Sequence, residues 1–342
     1  MMSTRQPSWL FWAGTLLLLL APTVFAQSTG AFARFGFGAR GLSMGGALVA
    51  DASGMASPYY NPALAPYTSR QHIDASYVFL SQDREVQFLQ FATPVRPRAG
   101  VAAGIVRAAV SGIDGRDGSG NPTQTYDTEE LGAFLAFGTR IGDRASIGLM
   151  FRFFRSDLFP TVDPAVSIGL SAGLSVQPTE RLSLGLAVDD LLAGYTWDSS
   201  TAFGNDGRKR TDDFPIRLRL GASYAIPGAR ARVSAEVESL FESVVAGTSS
   251  VDLITGSPRT SETTSDFRLQ STIFRLGGEW QLAEPFAVRG GIDGAGTGAV
   301  LPSAGFAVNQ QLGELGTMFE YAFRLEPYSA GSQHVISVRL DL

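Results

Sequence analysis

From residue 71 onward the chain is a succession of strand-like segments in which apolar side chains alternate with small or polar ones, and no amphipathic helix separates them. A two-residue period sends alternate side chains to opposite faces of a sheet, so each segment reads as a two-faced strand. In 145–153, Ala145, Ile147, Leu149, Phe151 and Phe153 fall on one face and Ser146, Gly148, Met150 and Arg152 on the other. Fourteen such segments are legible, near 71–81, 84–94, 98–109, 128–141, 144–157, 164–177, 181–197, 214–226, 230–244, 267–282, 285–296, 299–310, 313–327 and 332–342. The expected fold class is therefore all-β: a transmembrane antiparallel β-barrel of 14 strands, apolar side chains toward lipid and polar ones toward the lumen.

A hydrophobic content of 44% is ordinary. That suits a barrel, because lumen-facing positions dilute the lipid-facing ones. The one apolar run near the ~18 residues of a membrane helix lies at the N-terminus. There Arg5 supplies a basic flank, Trp9 to Ala21 an apolar core, and Val24-Phe25-Ala26 a small-x-small-type cleavage site. Residues 1–26 thus read as a secretory signal peptide, with Gln27 the expected first residue of the mature chain; no basic stop-transfer flank follows Ala26 to retain it as an anchor. The chain has no cysteine, which removes disulfides, thiolate metal sites, thiol nucleophiles and a lipidated N-terminal cysteine. A net charge of −5 with Lys209 as the single lysine gives no nucleic-acid face.

The gaps between segments alternate in length. Arg96-Pro97, Gly142-Asp143, Pro178-Thr179-Glu180, Pro227-Gly228-Ala229, Ala283-Glu284 and Gln311-Leu312 are tight, whereas 110–127, 198–213 and 245–266 are long and rich in Gly, Ser, Thr and Asp. Outer-membrane barrels put short turns in the periplasm and long loops outside the cell, so the expected location is the outer membrane of a Gram-negative-type bacterium. Residues 27–70 break the strand pattern with Gly36, Gly38, Gly41, Gly45, Gly46, Pro58 and Pro62, yet are too apolar for a free linker. They are expected to fold as an N-terminal hatch or plug, leaving 71–342 as the barrel.

If the tight turns fix register, lumen-facing charges pair across neighbouring strands. A two-residue Pro227-Gly228 loop sets Arg219 opposite Glu236 and Arg217 opposite Glu238; a three-residue loop at 283–285 sets Glu279 opposite Arg289 and Arg275 opposite Asp293. Such pairs contribute ~0.2–1 kcal/mol each and fix register, so internal scaffolding is the favoured reading over a substrate path. Glu320, Arg324, Glu326, Arg339 and Asp341 near the C-terminus read the same way. Ser167, Gly169, Ser171, Gly173, Ser183, Gly185, Ala187, Ser303 and Gly305 point inward and leave space, for the plug in preference to an elongated apolar ligand.

Gly36-Phe37-Gly38-Ala39-Arg40-Gly41 matches the dinucleotide fingerprint, but no preceding strand or following helix of a βαβ unit frames it. The two histidines, His72 and His334, fall in the first and last strands, where barrel closure would make them neighbours, without a serine elbow or metal-ligand spacing. No enzymatic activity, cofactor or metal is expected. Tyr195, Trp197, Phe241, Trp280, Phe286 and Tyr328 fall toward strand ends and read as the aromatic girdle of a membrane barrel.

The stretch Phe35-Gly36-Phe37-Gly38-Ala39-Arg40-Gly41-Leu42-Ser43-Met44-Gly45-Gly46-Ala47, followed by Tyr59-Tyr60-Asn61-Pro62-Ala63-Leu64, resembles the opening of the PorV/PorQ family within the fatty-acid transporter (FadL) superfamily. Leu182–Val188 and Phe214–Gly221 look like the same family's mid-barrel strands. The resemblance implies a fourteen-stranded barrel whose hatch carries the motif Gly38, Ala39, Arg40, Met44, Gly45, Gly46, Asn61, Pro62 and Ala63. It also implies two function classes. A PorV-like barrel is an accessory of type IX protein secretion or surface attachment, with secretion-system proteins and their cargo as partners; a FadL-like barrel transports a hydrophobic ligand that enters from outside and leaves through the wall. The N-terminal motif favours the first, and outer-membrane lipid is the partner in both.

Overall fold

The computed structural model describes residues 29–158, 160, 162–251, 258–294, 300–326 and 331–342, with backbone alone for 244–251 and 258–266. The segment 1–26 expected to be a signal peptide and Tyr328 lie outside the described residues.

Alternation produces the expected sheet. The strands are β1 (His72–Phe79), β2 (Arg84–Val95), β3 (Ala99–Arg116), β4 (Pro122–Ile141), β5 (Ala145–Asp157), β6 (Ala165–Val176), β7 (Leu182–Leu191), β8 (Gly194–Asp198), β9 (Lys209–Asp213), β10 (Ile216–Ile226), β11 (Ala231–Val251), β12 (Pro258–Ala283), β13 (Phe286–Asp293), β14 (Leu301–Leu312), β15 (Leu315–Leu325) and β16 (Ser332–Asp341). All but β8 and β9 form one closed antiparallel barrel of 14 strands, each paired with its chain neighbours and β1 closing on β16. Closure leaves no sheet edge for lipid to face unsatisfied.

The barrel wall is inverted relative to a water-soluble protein. In β5 the burial alternates strictly, with Ser146, Met150, Arg152 and Phe154 buried and Ile147, Leu149, Phe151 and Phe153 exposed. Leu135, Phe137, Ile168, Phe274, Leu276 and Ile336 continue the exposed apolar surface around the ring. A contiguous belt of this kind is stable only in hydrocarbon, and with the closed ring it defines an outer-membrane β-barrel.

Two long loops of the sequence reading are largely strand. β3 and β4 run on toward a tip at Asp117–Asn121, and β11 and β12 reach 21 and 26 residues. A strand needs only ~9–11 residues to cross a bilayer, so both hairpins project beyond it. The segment read as 181–197 is divided: β7 ends at Leu191, and β8 pairs with β9 in a separate hairpin. The break falls at Asp190 and Leu192, which adopt φ of 63° and 65°.

The β1–β16 register sets His72 opposite Asp341 and His334 opposite Phe79, so the two histidines lie at opposite ends of the closing seam and are not neighbours. Antiparallel pairing of a first and last strand brings the start of one to the end of the other. His72 is buried beside Asp74, whereas His334 faces outward and bonds Tyr321. Tyr195 also departs from the girdle: at 1% exposure on β8 it packs on Phe214 and Trp197. Trp280 is exposed on the outer face, and Phe241 stacks on Phe267.

Candidate functional site

Residues 29–70 run inside the ring of strands. The sequence Asn61-Pro62 starts a 3-10 turn at Pro62–Tyr67, because proline suits the first helical position and the Asn61 side chain accepts from the Ala63 N–H at 3.0 Å. Upstream, α1 (Gly38–Ser43) is a six-residue helix that no strand precedes among the described residues, so Gly36 to Gly41 lack the βαβ frame of a dinucleotide site and serve packing. After α1 the chain reverses through Gly45 and Gly46, at φ of 63° and 81°. A Cβ on Gly45 would lie 2.6 Å from the Ile292 carbonyl oxygen, so the glycine is needed both for the turn and for contact with the wall.

Wall and segment meet where the wall lacks side chains. A Cβ on Gly173 would lie 2.0 Å from Asn61 Oδ1, and one on Gly185 would lie 2.2 Å from the Val49 carbonyl oxygen. Gly148 and Gly305 meet Pro62 and Ser43 in the same way. Inward serines satisfy the segment's backbone: Ser146 donates to Ala63 O at 2.7 Å, Ser303 donates to Ser43 O at 3.0 Å, and Ser337 accepts from the Ala39 N–H at 2.8 Å. Asn61 Nδ2 donates to Val49 O and Leu174 O, and Glu236 accepts from the Val49 N–H. Met44 is fully buried against Gly277 and Gly291.

Charge completes the filling. Arg40 pairs with Asp51 and with Glu279. Arg275 contacts Glu238 at 2.9 Å and Asp293 at 3.2 Å, and Arg289 joins Glu279 to Glu320 at 2.6 Å each. Arg324 reaches Asp293, Arg339 reaches Asp74, and Glu326 pairs with Arg84. In the β12–β13 hairpin Glu279 stands opposite Arg289 and Arg275 opposite Asp293. In β10–β11 the register is offset by two residues from the expected one: Arg219 stands opposite Glu238, and Gly221 opposite Glu236. The cause is a four-residue turn, Pro227 to Arg230, in place of a two-residue loop. Parity survives a two-residue shift, so the charges still face inward, with Arg219 to Glu236 a diagonal contact at 3.9 Å.

Sequence reasoning placed Arg152 inward without a partner and missed Asp189 and Asp190. Arg152 and Arg217 both contact Asp190, at 2.9 and 2.8 Å, and Arg219 contacts Asp189 at 2.7 Å. The signal was present: two consecutive carboxylates in a barrel strand cannot both face the lumen while alternation holds. β7 resolves the conflict with a bulge against β6 that turns both inward.

Of the cavities bordering this filled lumen, two bear on passage of a solute. At the end carrying the long loops, a crevice of about 440 Å³ is lined by Phe32, Phe35, Leu80, Val86, Val110 and Leu158 together with Arg84, Glu85, Thr128, Glu130, Arg324, Glu326 and Gln333. On the lipid-facing wall a groove of about 780 Å³ lies between Leu174, Leu184, Leu186, Leu220, Phe274 and Leu276. Gly185 and Gly221 form its floor, and Val49 of the inner segment lies directly behind them.

The fold is that of an outer-membrane β-barrel with an internal N-terminal segment. Among solved structures, the toluene transporter TodX of Pseudomonas putida is 13% identical, covering 93% of this chain and 98% of its own, with a TM-score of 0.57. The toluene transporter TbuX of Ralstonia pickettii is 16% identical over 89% and 97%, at 0.54. A FadL homologue of Pseudomonas aeruginosa is 12% identical over 94% and 99%, at 0.53. At these identities the likeness establishes the fold alone. No family model and no curated protein matches the chain.

Proposed function

We propose that the protein is a FadL-like channel admitting small hydrophobic compounds across the outer membrane. The observation that carries this reading is the amphipathic crevice at the loop end, where Phe32 and Phe35 of the N-terminal segment meet Leu80, Val86 and Val110 of the wall beside a charged set that includes Glu85, Glu130 and Arg324. Its volume of about 440 Å³ falls in the usual range of small-molecule sites, ~300–1,000 Å³. An apolar solute desolvates there, and the segment beneath acts as the hatch that must yield before it passes. The lipid-side groove over Gly185 and Gly221 is the thinnest part of the wall described, with Val49 and Ala50 of the inner segment behind paired β7 and β10, and an exit there requires those strands to part. TodX and TbuX, which share the fold, are toluene transporters, and this supports an aromatic hydrocarbon as the first compound to test.

The reading as a type IX secretion accessory rests on the N-terminal motif. Arg40, Met44, Gly45 and Asn61 are engaged with the barrel's own interior, which leaves them no surface for cargo. Uptake of labelled toluene by a Gram-negative host that lacks its own hydrocarbon channels separates the two. Faster uptake on expression supports the channel; unchanged uptake together with a co-purifying secretion partner supports the accessory.

A further inference from the structure

The loop-end crevice sets Phe32, Phe35, Leu80, Val86 and Val110 beside charged groups, and most of those charges are already engaged by the barrel itself. Arg84 donates through Nε to Ser81 O and pairs through Nη2 with Glu326, which also accepts from the Ser81 N–H. Arg324 donates to Gln333 at 3.0 Å and to Asp293 at 3.1 Å, and its guanidinium lies over the Phe35 ring at 5.5 Å. Glu85 accepts from Tyr77 and from Arg107.

Glu130 is different. It stands on β4 between Ala108 and Ser156 of the neighbouring strands and faces the lumen with Gly132, where a Cβ would lie 3.4 Å from Phe32. Its hydrogen bond among the described residues is a long one, 3.4 Å from the Ser156 hydroxyl to Oε1, and Oε2 is open to the contents of the crevice. Water serves this carboxylate while the crevice is empty. A solute that fills the space displaces the water, and one without a donor leaves a charged acceptor against hydrocarbon, which is unfavourable. A ring bearing one hydroxyl avoids this: the hydroxyl donates to Glu130 while the ring packs on Phe32 and Phe35. A carboxylate solute fares worst, because it cannot donate, Glu130 repels it, and Arg84 and Arg324 already hold Glu326 and Asp293.

We infer that the crevice selects small hydroxylated aromatic compounds of the phenol type, with Glu130 as the group that reads the hydroxyl. The inference rests on the transport reading and narrows its solute from hydrophobic compounds in general to rings that carry a hydrogen-bond donor.

Titration calorimetry of the full barrel in detergent at neutral pH, with toluene, phenol and benzoate, tests it. Phenol should bind at least ~10-fold more tightly than toluene, because hydrogen bonds to charged groups are the stronger ones. Benzoate should bind more weakly than either. In Glu130→Leu the preference for phenol over toluene should vanish, and in Glu130→Gln, which keeps an acceptor oxygen without the charge, it should shrink and the rejection of benzoate should relax. Toluene binding as tightly as phenol, benzoate binding as tightly as phenol, or a preference unchanged in Glu130→Leu overturns the role of Glu130 and leaves the channel reading standing. Binding of neither toluene nor phenol removes the crevice as a solute site, and both readings fall together. The order of the three compounds is read on the wild-type protein, so the test does not depend on either variant folding.

Discussion

Arg40 and Glu279 form a two-pronged ion pair across the lumen, Nε to Oε2 and Nη2 to Oε1, each at 3.1 Å. One partner belongs to the N-terminal segment and the other to β12, so the pair ties the segment to the wall. Arg40 also holds Asp51, which is fully buried. Removing one partner of a buried pair strands the other, at a cost of ~3–5 kcal/mol. Arg40→Ala should therefore lower thermal stability by that order and expose residues 29–70 to limited proteolysis. Proteolysis of the variant at the wild-type rate would show that the pair does not secure the segment.

Steric contact gives a second handle. Gly173→Val should clash with Asn61, where even a Cβ would lie 2.0 Å from Oδ1. Overpacking of this kind costs ~1–3 kcal/mol. Gly118→Ala, which meets nothing within 4 Å at the β3–β4 tip, is the control and should be silent. Protease sensitivity of the N-terminal segment in both variants checks the contrast.

Acid should loosen the same segment. Burial alone would raise the Asp51 carboxyl, but the Arg40 and Arg232 guanidinia overcome it and hold the group below its ordinary 3.8. A carboxylate depressed on folding adds stability above its unfolded pKa, and that stability is lost as pH falls through the folded one. Protease protection should thus be flat from neutral pH down to roughly 4 and decline below it. Asp51→Asn should abolish the dependence that this group contributes; an identical acid profile would remove Asp51 from the account.

How much of this was legible follows from alternation. Strand number and facing were readable because a lipid-facing leucine and a lumen-facing serine differ in every repeat, as in β5. The β10–β11 register was not, because Pro227-Gly228 names a turn without fixing whether Ala229 and Arg230 belong to it. The outer parts of β11 and β12 were missed for a different reason: above the membrane neither face is apolar, so a strand there looks like a loop. Inward glycines showed where space would be left; the partner of each one, such as Asn61 for Gly173, depends on contacts distant in sequence.

Ligand binding at the mouth is open to a direct block. Ala108 lies on the lumen side of the crevice, and Ala108→Trp should fill much of it. Affinity for a small aromatic compound should fall at least ~10-fold, about 1.4 kcal/mol, with the fold retained. Binding measured by titration calorimetry in detergent checks this, and undiminished affinity would move the site elsewhere.

The most direct measurement is ion conductance of the purified protein in a planar lipid bilayer. A lumen filled by residues 29–70 and closed by internal ion pairs should pass no steady current, and deletion of 29–67 should open one. A steady wild-type conductance typical of a water-filled pore would contradict the filled barrel, and with it a hatch that excludes ions.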